Sequence, residues 1–102
     1  MKSTRSKACD IPQRVKSEVW ERDKHRCVVC GSPYAMPNAH FIARSQGGLG
    51  IAKNIVTLCQ RCHYNYDFTG WHEEYKEKIK RHLQNCYLNW DESELVYRKN
   101  GL

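Results

Sequence analysis

Hydrophobic residues recur at helical spacing in two stretches of the chain and alternate or cluster between them. Ile11, Val15 and Val19 predict a short amphipathic helix over residues 11–23. Asp10 is placed to cap it, and Gln13 three positions later completes a capping-box-like pair. Arg14, Lys16 and Arg22 fall on its polar face. Residues 39–44 (AHFIAR) alternate and predict a strand; residues 54–58 (NIVTL), rich in β-branched side chains, predict a second. Between them, SQGGLGIAK is a glycine-rich loop in which Gly47, Gly48 and Gly50 allow close approach of neighbouring backbone. CQRCHYNYDF then reads as a helix. From Trp71 to Tyr87 a longer helix is predicted, with Tyr75, Ile79, Leu83 and Cys86 on one face and Glu74–Lys78 and Glu77–Arg81 as i,i+4 pairs on the other. Asp91 and Glu94 mark a last helical turn. Residues 1–9 lack periodicity and are expected to be a mobile basic arm.

The chain has 102 residues, enough for one domain, and 40% of them are hydrophobic. So small a core gains from a structural metal. The six cysteines could form disulfides in an oxidising compartment. However, MKSTRSKACD has no apolar signal core and no apolar run is long enough to cross a membrane. An intracellular, reducing location is expected, where paired CxxC motifs serve metals more often than disulfides. The formal charge is +6. Residues 1–26 hold eight Lys/Arg against four Asp/Glu, residues 27–68 three against one, and residues 69–102 six against six. The basic excess therefore belongs to the N-terminal segment and the middle, a distribution suited to nucleic acid.

Cys27-x2-Cys30 and Cys59-x2-Cys62 are separated by 28 residues. Two sulfurs two residues apart can take adjacent corners of a tetrahedron, and two such pairs complete it. Four thiolates fill a zinc ion's coordination sphere, so this zinc is structural and any chemistry needs another site. Cys9, in the arm, and Cys86, on the apolar helix face, read as plain thiols.

His40, Asn54, His63 and Asp67 supply such a site. His63 and Asp67 are four apart on a predicted helix and share a face; together they can hold a divalent cation with positions left for water and phosphate. A neutral His40 imidazole can take a proton from water, and the Asn54 amide can accept a hydrogen bond from that imidazole and fix its tautomer. Arg44, alternating with His40 and Ile42, is placed to contact a phosphate. Arg61 also flanks the site in sequence, and Arg14 and Lys16 offer further contacts to a polyanion. His25, His72 and His82 read as surface or core residues, and Trp20, Trp71 and Trp90 as packing residues.

His40-x13-Asn54-x8-His63-x3-Asp67 between two CxxC pairs, with AHFIARSQGG and NIVTLCQRCH around it, resembles the HNH endonucleases. The resemblance covers residues 12–68; the tail is similar, less specifically, to small HNH proteins of bacteria and their phages. It implies an α+β fold: a zinc-braced treble-clef ββα-metal finger over about 27–68, with flanking N- and C-terminal helices, in a single domain over 10–102 whose residues 71–102 are scaffold. It also implies His40 as general base, Asn54 as the residue orienting the base or supporting the loop, and His63 with Asp67 at a catalytic Mg²⁺ or Mn²⁺, with Ni²⁺ able to substitute. Cys27, Cys30, Cys59 and Cys62 match the structural zinc ligands. The partner implied is DNA, with 5′-phosphate and 3′-hydroxyl products and, for double-strand cutting, a dimer. One position departs from the pattern. Ala39 stands where the family often has another metal ligand, leaving the metal site one protein ligand poorer.

Overall fold

A computed structural model describes residues 3–98. Two antiparallel strands, β1 (Ala35–His40) and β2 (Ile55–Cys59), are enclosed by four helices: α1 (Thr4–Cys9), α2 (Gln13–Arg22), α3 (Gln60–Phe68) and α4 (His72–Cys86). The fold is thus mixed α and β, with helices on both sides of a small sheet. Every residue of β2 is buried. Ile55 packs with Val15 and Val19 of α2, while Val56 and Leu58 pack with Tyr66, Ile79, Leu83 and Leu95. Enclosure on both faces explains why this strand reads as an apolar run rather than an alternation.

The first strand lies earlier than the expected 39–44. It pairs from Ala35 opposite Cys59 to His40 opposite Ile55, with an irregularity between Met36 and Ala39. Pro37, which has no N–H to give a ladder, sits in that irregularity. After His40 the ladder stops because Asn54 replaces it. Its Oδ1 accepts from Ile42 N–H at 2.8 Å, and its Nδ2 donates to the carbonyls of Ile42 and Leu49 at 3.2 and 2.9 Å. Asn54 itself ends a 3₁₀ turn, Ala52–Asn54, just before β2 instead of opening the strand.

Two expectations about the N-terminal region change. Thr4–Cys9 is helical and Cys9 is buried, so this part of the expected arm has structure; residues 1–2, like residues 99–102, lie outside the described region. Asp10 terminates α1, and α2 starts after Pro12 with no side-chain cap. A proline at this boundary fixes φ without sacrificing a needed donor.

Arg22, expected on the polar face of α2, is partly buried and spends all its N–H groups. It is bidentate to Asp23 at 2.8 and 3.0 Å and donates to Ala52 O, Ile55 O and the Tyr87 hydroxyl. Asp23 also accepts from His82 Nε2 at 2.8 Å and from Thr57 N–H at 2.9 Å. This network joins α2, β2 and α4. On α4, Ile79 and Leu83 enter the core as expected, but Cys86 is exposed.

The glycine-rich loop packs tightly against backbone. A Cβ on Gly48 would lie 1.7 Å from Ile42 O, and one on Gly50 would lie 1.8 Å from Asp10 O. Gly50 N–H donates to Ala8 O, Leu49 N–H to Leu95 O, and Tyr97 N–H to Gly47 O. Both ends of the chain therefore grip one loop. No helix among the described residues is long and apolar enough to cross a membrane.

Candidate functional site

Cys27 and Cys30 lie in the turn after α2. Gly31 takes φ +81°, a left-handed conformation that suits glycine, and donates to Cys27 O at 2.9 Å. Val28 N–H binds Thr57 O and ties the turn to β2. Cys59 ends β2, and its sulfur accepts from Cys62 N–H at 3.4 Å, capping α3. These links bring the ligand atoms of Cys27, Cys30, Cys59 and Cys62 within 4.8 Å of one another. Cys30 and Cys59 Sγ are 3.6 Å apart. A disulfide needs about 2.05 Å, whereas sulfurs at neighbouring corners around zinc, with bonds of about 2.3 Å, lie about 3.8 Å apart. The Ser32 N–H lowers the Cys30 thiol to about 7, while burial and the neighbouring sulfurs push Cys62 up. The gathering of four sulfurs at this spacing fits a structural zinc, which would hold all four as thiolates.

The second site is an open cleft of about 350 Å³ lined by His40, Ala43, Arg44, Ser45, His63, Asp67 and Phe68. His40 stands at the end of β1, half-buried, with Nε2 2.9 Å from Cys9 O. A carbonyl only accepts, so this bond puts the ring proton on Nε2 and leaves the Nδ1 lone pair open. Burial lowers the His40 pKa; the Arg44 and His63 charges add to the lowering, and the Cys9 carbonyl and Asp67 oppose it. The neutral, proton-accepting form is thereby favoured.

His63 Nε2 and Asp67 Oδ2 are 3.0 Å apart on one face of α3, each about one-third exposed. Two adjacent ligands of an octahedral ion with bonds near 2.1 Å are also about 3.0 Å apart. The two side chains are joined directly as an ion pair, and the same nitrogen and oxygen could serve as two ligands of a divalent cation. Tyr66 sets the helix in place: its buried hydroxyl donates to Phe41 O at the exit of β1. Among the described residues the four cysteines form the one cluster of three or more such ligand atoms, so His40 lines the same cleft without joining the His63–Asp67 pair as a third ligand.

The structure thus brings together His40, His63, Asp67 and Arg44. Arg44 reaches the cleft from a 3₁₀ turn, Arg44–Gln46, rather than from a continuing strand. Its Nη2 binds Asp10 Oδ1 at 2.6 Å and Ser6 O at 3.1 Å, while Arg5 Nη2 binds Ser45 O at 3.0 Å. The two arginines cross-brace α1 and the turn. Asn54 does not meet His40; its amide is used up by the loop backbone, and the Cys9 carbonyl takes the role expected of it at the imidazole. Arg61 is exposed beside the Cys30 sulfur, and Arg14 and Lys16 lie on α2; none of the three lines the cleft. Ala39 is in the core and away from the cleft. Cys9, Ser45 and Phe68 were not marked by the sequence, since a main-chain carbonyl leaves no side-chain signature and the other two carry no spacing.

The site as built is a four-cysteine metal knuckle beside a hairpin-and-helix cleft of histidine and aspartate. The sequence profile of the HNH endonuclease family matches residues 27–67, the segment that carries both sites. Anaredoxin from Nostoc sp. is 31% identical over 55 residues, which cover 53% of this chain and 72% of that protein. The chain belongs to the HNH endonuclease family. Membership indicates nuclease-related function, with nucleic acid as the partner class.

Proposed function

We propose that this protein is a metal-dependent DNA endonuclease that hydrolyses phosphodiester bonds with water activated by His40. The observation carrying this reading is the convergence of His40, His63, Asp67 and Arg44 on one open cleft, with His40 Nε2 held by the Cys9 carbonyl. A phosphodiester drawn into the cleft meets Arg44. His40 Nδ1 takes a proton from water while its Nε2–H remains on the Cys9 carbonyl, which steadies the imidazolium that forms. His63 and Asp67 would hold a divalent cation, which would supply Lewis-acid stabilisation of charge on the phosphate and leaving oxygen. Mg²⁺ or Mn²⁺ suits the ligand pair, and Ni²⁺ can replace them. Asn54 keeps the loop closed around the base and does not act on the imidazole.

The remaining parts of the reading follow from this assignment. The zinc knuckle and ββα unit form a treble-clef finger inside one domain, with α4 and the tail as scaffold. The products carry a 5′-phosphate and a 3′-hydroxyl. Unpaired thiols and a thiolate cluster suit a reducing, intracellular setting. One cleft cuts one strand at a time, so a double-strand break needs a dimer or two encounters.

The test is incubation of purified protein with plasmid DNA and Mg²⁺, Mn²⁺ or Ni²⁺, against EDTA and a His40→Ala control. Metal-dependent cleavage is expected, with a loss of about 10²–10⁴-fold in the variant. No cleavage with any of these metals, or full cleavage by His40→Ala, overturns the mechanism. A second reading, a zinc-dependent nucleic-acid-binding module without catalysis, draws on Ala39, whose methyl group cannot bind a metal and so leaves two protein ligands for the cation. It predicts DNA retardation at low salt without cleavage.

A further inference from the structure

His63 faces two cavities. One is the cleft with His40; the other is a larger groove of about 470 Å³ between the start of β1 and the start of α3, lined by Tyr34, Met36, Asn38, Leu58 and Gln60. The mechanism above uses none of these five residues. Tyr34 is 87% exposed and Met36 61% exposed. Both are large side chains lining a groove that shares His63 with the cleft of the candidate site. Beside them stand two side-chain amides, Asn38 and Gln60. Asn38 Oδ1 is buried and lacks a hydrogen-bond partner.

This combination matches a nucleobase. An aromatic face stacks on a base regardless of its sequence, the apolar wall of Met36 and Leu58 covers the base and sugar, and the amides meet donors and acceptors on its edge. The shared His63 fixes the register: a phosphate in the His40 cleft places its attached nucleoside in the next groove. The exposed Tyr34 ring chooses between strand forms, because its face can stack only on a base that is not already stacked on both sides. A Watson–Crick pair turns its pairing edge inward and a stacked duplex base cannot descend into a protein groove, whereas an unpaired or extruded base can.

We infer that the groove between Tyr34 and Gln60 is a subsite for one unpaired nucleotide next to the scissile phosphate, so that single-stranded, bulged or flipped DNA is the preferred substrate. The inference rests on the nuclease reading for its register and goes beyond it in naming the strand form.

The experiment measures binding in the His40→Ala background, so that no strand is cut, using oligonucleotides of equal length and sequence as single strand, full duplex and duplex with one bulged 2-aminopurine. Single-stranded and bulged forms should bind about tenfold or more tightly than the duplex, and 2-aminopurine fluorescence should be quenched on binding. Tyr34→Ala should remove the quenching and most of the preference while leaving duplex binding and zinc content unchanged; Tyr34→Phe should keep both. Equal affinity for all three forms, or a Tyr34→Ala protein that binds and quenches as before, overturns the subsite. The two readings fail separately. Protein with His40 intact that cuts paired and unpaired sites alike removes the subsite and keeps the nuclease. Tyr34-dependent binding of unpaired DNA without cleavage keeps the subsite and removes the nuclease.

Discussion

The knuckle and the cleft are neighbours built by opposite means. The knuckle gathers side chains: four sulfurs from two short motifs, one of which also caps α3. Its contacts are local within each pair, and one long-range step closes it. The cleft gathers main chain. His40 is set by the carbonyl of Cys9, the loop around it by the amide of Asn54, and Arg44 by Asp10 and Ser6. The knuckle is closed and can serve only stability; the cleft is open and leans on the N-terminal helix, far away in sequence. Damage to the knuckle should therefore unfold the protein, and damage to the supports of the cleft should disarm it while leaving it folded.

Cys59→Ser tests the first half and has the largest expected effect. It removes both a zinc ligand and the α3 cap, and zinc binding supplies folding free energy of about 10–16 kcal/mol in small zinc domains. Metal analysis should fall from about one zinc per chain toward none, with loss of the folded far-UV spectrum; a folded, zinc-loaded variant would contradict the four-thiolate site. Asp23→Asn comes next. Burial opposes the charge on Asp23, but His82, Arg22 and Thr57 N–H together hold its pKa below the usual carboxylate value. Removing it strands a buried guanidinium at a cost of about 3–5 kcal/mol, measurable by urea unfolding. The sign with pH follows. The folded-state pKa is depressed, so the contribution of Asp23 is present above the unfolded carboxylate pKa and fades as pH falls through the folded value. The gap between wild type and variant should therefore narrow in acid.

Gly50→Ala separates the two regions. The new Cβ would meet Asp10 O at 1.8 Å and push α1 away from the loop. Displacing the Cys9 carbonyl from His40 should cost up to about 10²-fold in kcat/KM, with zinc content unchanged. Full activity here would show that α1 does not hold the base. Arg44→Ala has the smallest expected effect. The Arg44 charge lowers the His40 pKa, so its removal should move the acid limb of the kcat/KM profile upward, from a wild-type position below the ordinary histidine range, with only a modest loss of rate. An unmoved limb would separate Arg44 from the base.

The same contrast decides what could be read from the chain. The cysteine pairs, the His63–Asp67 helical pair and the apolar faces of α2 and α4 were legible because each is a side-chain pattern at fixed spacing. The ligand role of the cysteines needed no knowledge of the turn around them. The end of β1 was misplaced because AHFIAR alternates, and only the three-dimensional position of Asn54 shows what stops the ladder. Asn54 reads as opening the second strand of the hairpin, which would put its amide within reach of His40, yet in the fold the backbone of Ile42 and Leu49 takes it. The helix at Thr4–Cys9 carries too few apolar residues for periodicity; contacts with the glycine loop and Arg44 hold it.

The loop at Gly47–Gly50 donates to the Ala8 carbonyl on one side and to the Leu95 carbonyl on the other, where it also accepts from Tyr97 N–H. Those partners are remote from the loop and from each other in sequence, so the loop is closed only when both segments are docked. The Leu49 and Gly50 amides, each held by a different segment, would therefore report separately by hydrogen exchange on the seating of α1 and of the tail beside the loop.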